Sequence, residues 1–262
     1  QAVQHAHQKG IIHRDIKPSN VLVTHHDGKP TPKVIDFGIA KATNQRLTEK
    51  TLFTRYAHLI GTPAYMSPEQ AELSDMDVDT RSDIYSLGVL LYELLTGTTP
   101  FTEEDLRRIG YLEMQRVIRE QEPVKPSTKL TTLGTTLADF ARHRNSTPDL
   151  LRKAVRGDLD WIVLKALQKA RDRRYGCVSD LARDVQRHLS SHPILAKPPG
   201  TPYRVRKFLR RHRVGVGIAL VTVTLLGVMM VSFTMWLWQR IELERTESDN
   251  HQTIMSNACL AL

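Results

Sequence analysis

The sequence predicts a mainly α, α+β lobe with a few short β-strands, followed by one transmembrane helix. Three observations predict it. Short apolar runs broken by Gly, Pro and Asp crowd the first forty or so positions. Helical spacing of apolar residues dominates from Thr80 onward. Residues 214–238, "VGVGIALVTVTLLGVMMVSFTMWLW", carry no charge at all. The chain has 262 residues, 40 % hydrophobic and 25 % charged. That composition is ordinary for a globular protein and allows one core plus an appendage.

Taken in order, "AVQHAHQKG" reads as the last turns of a helix stopped by Gly10. "IIH", "VLVT" and "KVID" read as short strands, with "HHDGKPTP" as the turn between the last two. "TRSDIYSLGVLLYELLTG", residues 80–97, reads as a long helix. Thr80 and Asp83 suggest a capping box, Ile84, Leu87, Leu91, Leu94 and Leu95 recur at helical spacing, and Gly97 ends it. Further helices are expected over 103–120, 158–169 and 178–190, with Pro123, Pro126 and "STKLTTLGTT" marking a loop. No internal repeat is visible.

The globular region is expected to end near residue 192. A Pro-rich and basic juxtamembrane linker follows over 193–213, and "RVRKFLRRHR" within it holds six Lys/Arg and no acid. Twenty-five uncharged helical residues span about 37 Å, enough for a hydrocarbon core of roughly 30 Å. Residues 214–238 are therefore read as a single-pass membrane helix, with Trp236 and Trp238 at an interface. Beyond it, residues 239–262 have Arg240 and Arg245 against Glu242, Glu244, Glu247 and Asp249. The positive-inside rule puts residues 1–213 in the cytoplasm and 239–262 at the start of an extracytoplasmic region.

The net charge of +9 is thus located in part at the membrane flank, near anionic lipid. No basic patch interleaved with aromatics speaks for nucleic acid, so no nucleic-acid partner is expected. Cys177 and Cys259 give neither a disulfide framework nor metal-ligand spacing.

The chemistry-bearing motifs come in a fixed order. "HRDIKPSN" occupies 13–20, "DFG" 36–38, "GTPAYMSPE" 61–69, "SDIYSLG" 82–88 and "RDRRY" 171–175. Singly, "DFG" is a trivial tripeptide and "HRD" only moderately informative. Together, in this order and at these gaps, they closely resemble eukaryotic-like (Hanks-type) serine/threonine protein kinases over residues 1–190 or so. The match is to the C-terminal lobe of that fold. The later apolar helix makes the whole similar to the bacterial transmembrane receptor-type members.

The resemblance implies roles, residue by residue. Asp15 would accept the proton of a substrate hydroxyl. Lys17 would lie near the γ-phosphate, and Asn20 and Asp36 would ligate Mg²⁺, with Mn²⁺ as an alternative, beside ATP. His13, Phe37 and Gly38 would shape the site's backing. Thr62 would bond Asp15 and Lys17, with a plain turn residue before Pro63 as the other reading. Lys17 and Thr62 both point to Ser/Thr rather than Tyr as acceptor. Asp83 and Gly88 resemble the start of the buried helix that supports the catalytic loop from below, and Glu69 would pair with Arg174. Two departures are noted: Ser67 stands where the family usually has Ala, and Ala170-Arg171 replaces Asp-Pro.

Arg14 next to Asp15 fits activation by loop phosphorylation. Thr51 and Thr54 are the better acceptors there, with Lys50 or Arg55 assisting Arg14, unless those threonines are simply polar loop residues. A homodimer would let one copy phosphorylate another. No glycine-rich loop, strand Lys or helix Glu of a nucleotide-binding lobe occurs before "HRD", and "GVG" at 215–217 lies within the hydrophobic span. The chain is therefore expected to be a fragment lacking its N-terminal lobe, with a C-terminal region cut short. The activity implied is ATP-dependent phosphorylation of Ser/Thr on proteins. A pseudokinase or scaffold that binds partners through its helical lobe is the alternative.

Overall fold

The computed structural model describes residues 1–37, 63–72, 78–134, 136–197 and 200–260. The chain falls into two compact units, Gln1–Gly200 and Thr201–Leu262.

The first unit opens with α1 (Ala2–Gln8). Gly10 follows at φ +72, the left-handed conformation that ends a helix cheaply only in glycine. Residues 11–13, expected as a strand, are irregular. The Ile11 N–H donates to the Ala6 carbonyl and the His13 N–H to the Asp83 carboxylate, in place of a sheet ladder. The expected hairpin forms between β1 (Val21–His26) and β2 (Lys29–Val34), antiparallel with Val21 opposite Val34. Its turn is tighter than expected. Asp27 and Gly28 both take positive φ, so Lys29–Pro32 become strand instead of loop. Both prolines lie in an exposed two-stranded ladder, where a missing N–H is tolerated.

Most of the core is helical. A short α2 (Pro68–Ala71) precedes the long α3 (Thr80–Thr96). The expected capping box of α3 is not what forms. Asp79 is the N-cap, accepting the Arg81 N–H at 2.7 Å, while Asp83 turns inward. Gly97 ends the helix at φ +79. The stretch 103–120 splits into α4 (Glu103–Arg108) and α5 (Tyr111–Glu120), because Ile109 and Gly110 adopt extended backbone.

The expected loop around "STKLTTLGTT" is helical in large part. α6 (Pro126–Thr132) starts on a proline whose fixed φ suits a first turn, and Leu130 is fully buried beneath it. α7 (Thr136–His143) and α8 (Pro148–Val155) follow, and with α6 they enclose a small apolar core of Leu130, Leu137, Ala141, Leu151 and Val155. α9 (Asp158–Ala166) and α10 (Val178–Leu189) complete the unit.

The main core gathers Tyr85, Val89 and Tyr92 of α3 with Leu106, Met114, Ile118, Val163 and Leu167. α3 and α9 approach so closely at Gly88 that a Cβ there would lie 2.7 Å from Ala166 Cβ. The unit runs past the expected boundary near 192. Ile194 is buried, and the Leu195 and Ala196 N–H groups donate to the Asp184 carboxylate at 2.7 Å each.

The second unit comprises α11 (Thr201–Arg211) and α12 (Arg213–Leu260). Val214–Glu242 is apolar enough to cross a membrane by length and composition, with mean hydropathy 2.5 and none of that segment buried. The helix continues through the acidic residues expected as the start of a separate region.

Candidate active site

The loop of residues 13–20 is held from beneath by one buried carboxylate. Asp83, on the first turn of α3, is fully buried. Its Oδ2 accepts the His13 N–H and its Oδ1 the Arg14 N–H, both at 2.8 Å. His7 Nε2 lies 2.7 Å from the same carboxylate. Two successive backbone amides on one carboxylate fix the loop's path at this point. The next constraint comes from α2. The Gln70 side chain accepts the Ser67 N–H at 3.0 Å and donates to the Arg14 carbonyl at 2.7 Å. Thus Arg14 is clamped on both backbone sides, and it sits at φ +67. A non-glycine residue in that region stores about 1–3 kcal/mol of strain that its surroundings must hold.

Past this clamp, Asp15, Lys17 and Asn20 converge. Lys17 Nζ lies 2.9 Å from Asp15 Oδ2. Asn20 Nδ2 donates to the Asp15 carbonyl at 2.8 Å and stands 3.3 Å from Asp15 Oδ2. With Nδ2 turned to Asp15, the planar Asn20 amide carries its Oδ1 on the other side. The Asp15 side chain is 42 % exposed and that of Lys17 23 %, so both remain within reach of a ligand.

Asp36 is brought to the same place by the hairpin. The Ile35 N–H donates to the Asn20 carbonyl at 3.0 Å, one residue before Asp36. His13 Nε2 meets the Ile35 carbonyl at 2.9 Å, and its ring packs 4.7 Å from that of Phe37. Asp36 is again left-handed, at φ +58. The buried His13 therefore ties the loop to the segment that follows β2. The Asn20 amide and the Asp36 carboxylate each carry oxygen of the hard kind that Mg²⁺ favours, and could hold such an ion.

A second charged centre lies deeper. Arg174 clasps Glu69 in a bidentate pair at 2.7 and 2.8 Å, with its side chain wholly buried. Its remaining N–H groups donate to the carbonyls of Gln168, Arg81 and Lys169. Burial pushes the Glu69 carboxyl up. The Arg174 hydrogen bonds and charge, with the Ser82 hydroxyl at 2.6 Å, outweigh it and hold Glu69 below its ordinary value. Nearby, burial lowers the Lys169 ammonium to about 8, with its Nζ on the Ile118 carbonyl at 2.6 Å.

Of the site residues expected from the sequence, Gly38, Thr51, Thr54 and Thr62 lie outside the described residues. His13, Arg14, Asp15, Lys17, Asn20, Asp36, Phe37 and Asp83 are gathered at one site, and Glu69 with Arg174 at another. His7, Gln70 and Ser82 were missed. For Gln70 a signal existed: "SPEQ" at 67–70 fits the S-x-x-E/Q cap pattern. His7 carried none, since a histidine near a helix end has many uses.

The comparisons with known proteins point the same way. The family model described as "Protein kinase domain" matches residues 1–183. The chain belongs to the protein kinase family. It is 37 % identical over 193 residues to the serine/threonine-protein kinase PknB of Mycobacterium leprae, covering 74 % of this chain and 25 % of that protein. A probable serine/threonine-protein kinase of Streptomyces coelicolor is 36 % identical over 194 residues, covering 74 % and 24 %. The chain thus spans about a quarter of the length of these relatives. Among solved structures, the Mycobacterium tuberculosis PknI kinase domain aligns with a TM-score of 0.42 and 23 % identity, over 71 % of this chain and 50 % of that one.

Proposed function

We propose that this chain is the catalytic-loop lobe of a membrane-anchored kinase that moves the γ-phosphoryl group of ATP to Ser or Thr hydroxyls on proteins. The observation that carries the reading is the convergence of Asp15, Lys17 and Asn20 on a loop clamped by Asp83. Asp15 Oδ2 accepts the hydrogen of the substrate hydroxyl and orients its oxygen toward phosphorus. The new O–P bond forms as the bond to the β,γ-bridging oxygen breaks, and its electron pair leaves on ADP. The hydroxyl proton passes to the Asp15 carboxylate. The Lys17 ammonium, within one hydrogen bond of the base, offsets charge on the transferring oxygens. Asn20 Oδ1 and the Asp36 carboxylate would hold Mg²⁺ or Mn²⁺, which when bound neutralises phosphate charge. Lys17 two residues after Asp15, and the serine/threonine kinases among the relatives, favour Ser/Thr over Tyr.

Val214–Glu242 supplies the anchor in this reading, with the basic stretch before it on the cytoplasmic side. Phosphorylation at Thr51 or Thr54 by a second copy is the regulation it favours. The test is transfer of labelled phosphate from ATP to a Ser/Thr protein by the full-length gene product. Activity should need Mg²⁺ and fall about 10²–10⁴-fold in Asp15→Asn. Partner binding with no transfer above the Asp15→Asn background would establish a scaffold in place of an enzyme.

A further inference from the structure

A cleft of about 640 Å³ opens between α6, α8 and the start of α9. It lies away from the catalytic loop. Its walls pack with Leu95 at the far end of α3, and Asp83 holds the loop at the near end. Twelve helical residues separate them, about 18 Å.

The cleft has a surplus of cations. Lys125 stands before α6, and Arg152, Lys153 and Arg156 line the side of α8. Two carboxylates face them, Asp149 and Asp160. Asp160 is saturated, accepting the Ser127 N–H at 2.9 Å, the Ser127 hydroxyl at 2.8 Å and the Gly157 N–H at 3.1 Å. Asp149 takes one Nη of Arg152 at 3.0 Å but is 91 % exposed, so it neutralises little. Lys125, Lys153 and Arg156 make no ion pair among the described residues, and all three are exposed. Trp161, 41 % exposed, adds an aromatic face between these charges. Cations on two walls and an aromatic surface suit an extended anionic segment better than one compact ion.

We propose that this cleft docks an acidic segment of the kinase's protein substrates. The proposal rests on the kinase reading. The docking segment and the acceptor hydroxyl belong to separate stretches of one substrate chain, joined by a linker that covers about 3.3–3.6 Å per residue when extended. Docking here would raise the local concentration of that hydroxyl and leave the chemical step unaltered.

The experiment is fluorescence anisotropy of labelled ten-residue peptides with the full chain in detergent micelles. The peptides carry Glu and Asp, the matching Gln and Asn, or phosphothreonine in place of two acids. The acidic peptide should bind, the neutral one should not, and Lys153→Glu with Arg156→Glu should weaken binding on the order of tenfold. A control with the same charge change outside the cleft, Lys9→Glu with Arg173→Glu, should shift binding less than twofold. Preference for the phosphothreonine peptide by tenfold or more would overturn a carboxylate docking site in favour of a phosphate reader. Equal weakening by the control pair, or equal and equally sensitive binding of a DNA oligonucleotide, would reduce the cleft to unspecific charge. The kinase reading fails separately: binding that behaves as expected in a full-length protein unable to transfer phosphate would leave the docking surface and remove the substrate role. In an active protein the cleft variant should raise KM for an acid-bearing substrate severalfold with kcat unchanged.

Discussion

Asp15–Lys17 and Glu69–Arg174 are the same chemical pair in two settings. Each joins one carboxylate to one cation at under 3 Å. The first is partly open to solvent, at 42 % and 23 % exposure, with Lys17 Nζ on one carboxylate oxygen of Asp15. The second is sealed, bidentate, and surrounded by carbonyl acceptors for every remaining N–H of the guanidinium. An exposed pair contributes little stability and stays free to exchange partners. A buried and saturated pair cannot let go without leaving a charge stranded. Burial, and not residue type, therefore separates the pair proposed to react from the pair that holds this lobe together.

The largest effect should come from breaking the holding pair on one side. Arg174→Met strands the Glu69 carboxylate and should destabilise the chain by about 3–5 kcal/mol. At roughly 2–4 °C per kcal/mol for a domain of this size, thermal unfolding should show a drop on the order of 10 °C. An unchanged midpoint would break the comparison at once. The pair also predicts a pH dependence. Glu69 is held below its ordinary value of 4.5 when folded. Its stabilisation is therefore complete above that pH and lost as pH falls through the lower folded value. The stability gap between the native chain and Glu69→Gln should be constant from pH 5 to 7 and close under stronger acid.

Asp83→Ala should rank second. It removes the acceptor of two backbone amides and leaves His7 facing an empty place. Buried donors without partners cost about 1–3 kcal/mol each. A loss of about 2–4 kcal/mol is expected, with faster amide exchange at His13 and Arg14. Because those amides carry the loop, activity should also fall, which Arg174→Met need not cause at temperatures where it stays folded. Asp83 thus sharpens the contrast: it is buried like Glu69 but holds the reacting pair in place.

How legible this was from the sequence differs by region. The long helix ending at Gly97 was readable because apolar periodicity and a left-handed stop coincide there. The Glu69–Arg174 partnership was readable through family motifs although 105 residues separate them. Asp83 was misread locally. Its spacing from Thr80 mimics a capping box, but two distant amides outcompete the helix's own N-terminus for that carboxylate. α6 was read as loop because Pro and Thr have poor helix propensity. Burial of Leu130, and the grip of Asp160 on Ser127, override it. The cleft that follows from those helices was invisible for the same reason: its cations are scattered over 125–156 and meet only in three dimensions.

The smallest structural effect belongs to the reacting pair. Asp15→Asn keeps the shape of the side chain and, half exposed, strands no buried charge. Lys17 loses its carboxylate partner but remains partly in water. An exposed pair is worth about 0–1 kcal/mol, and the folded chain should lose no more than that. In the proposed reaction the same substitution removes the acceptor for the substrate proton, so phosphoryl transfer by full-length protein should collapse while the unfolding midpoint moves by less than 4 °C or so. Arg174→Met should show the opposite split, a large midpoint shift with transfer retained in the cold. A midpoint drop in Asp15→Asn as large as that of Arg174→Met would mean that the open pair also holds the lobe together, and that exposure does not distinguish the two roles.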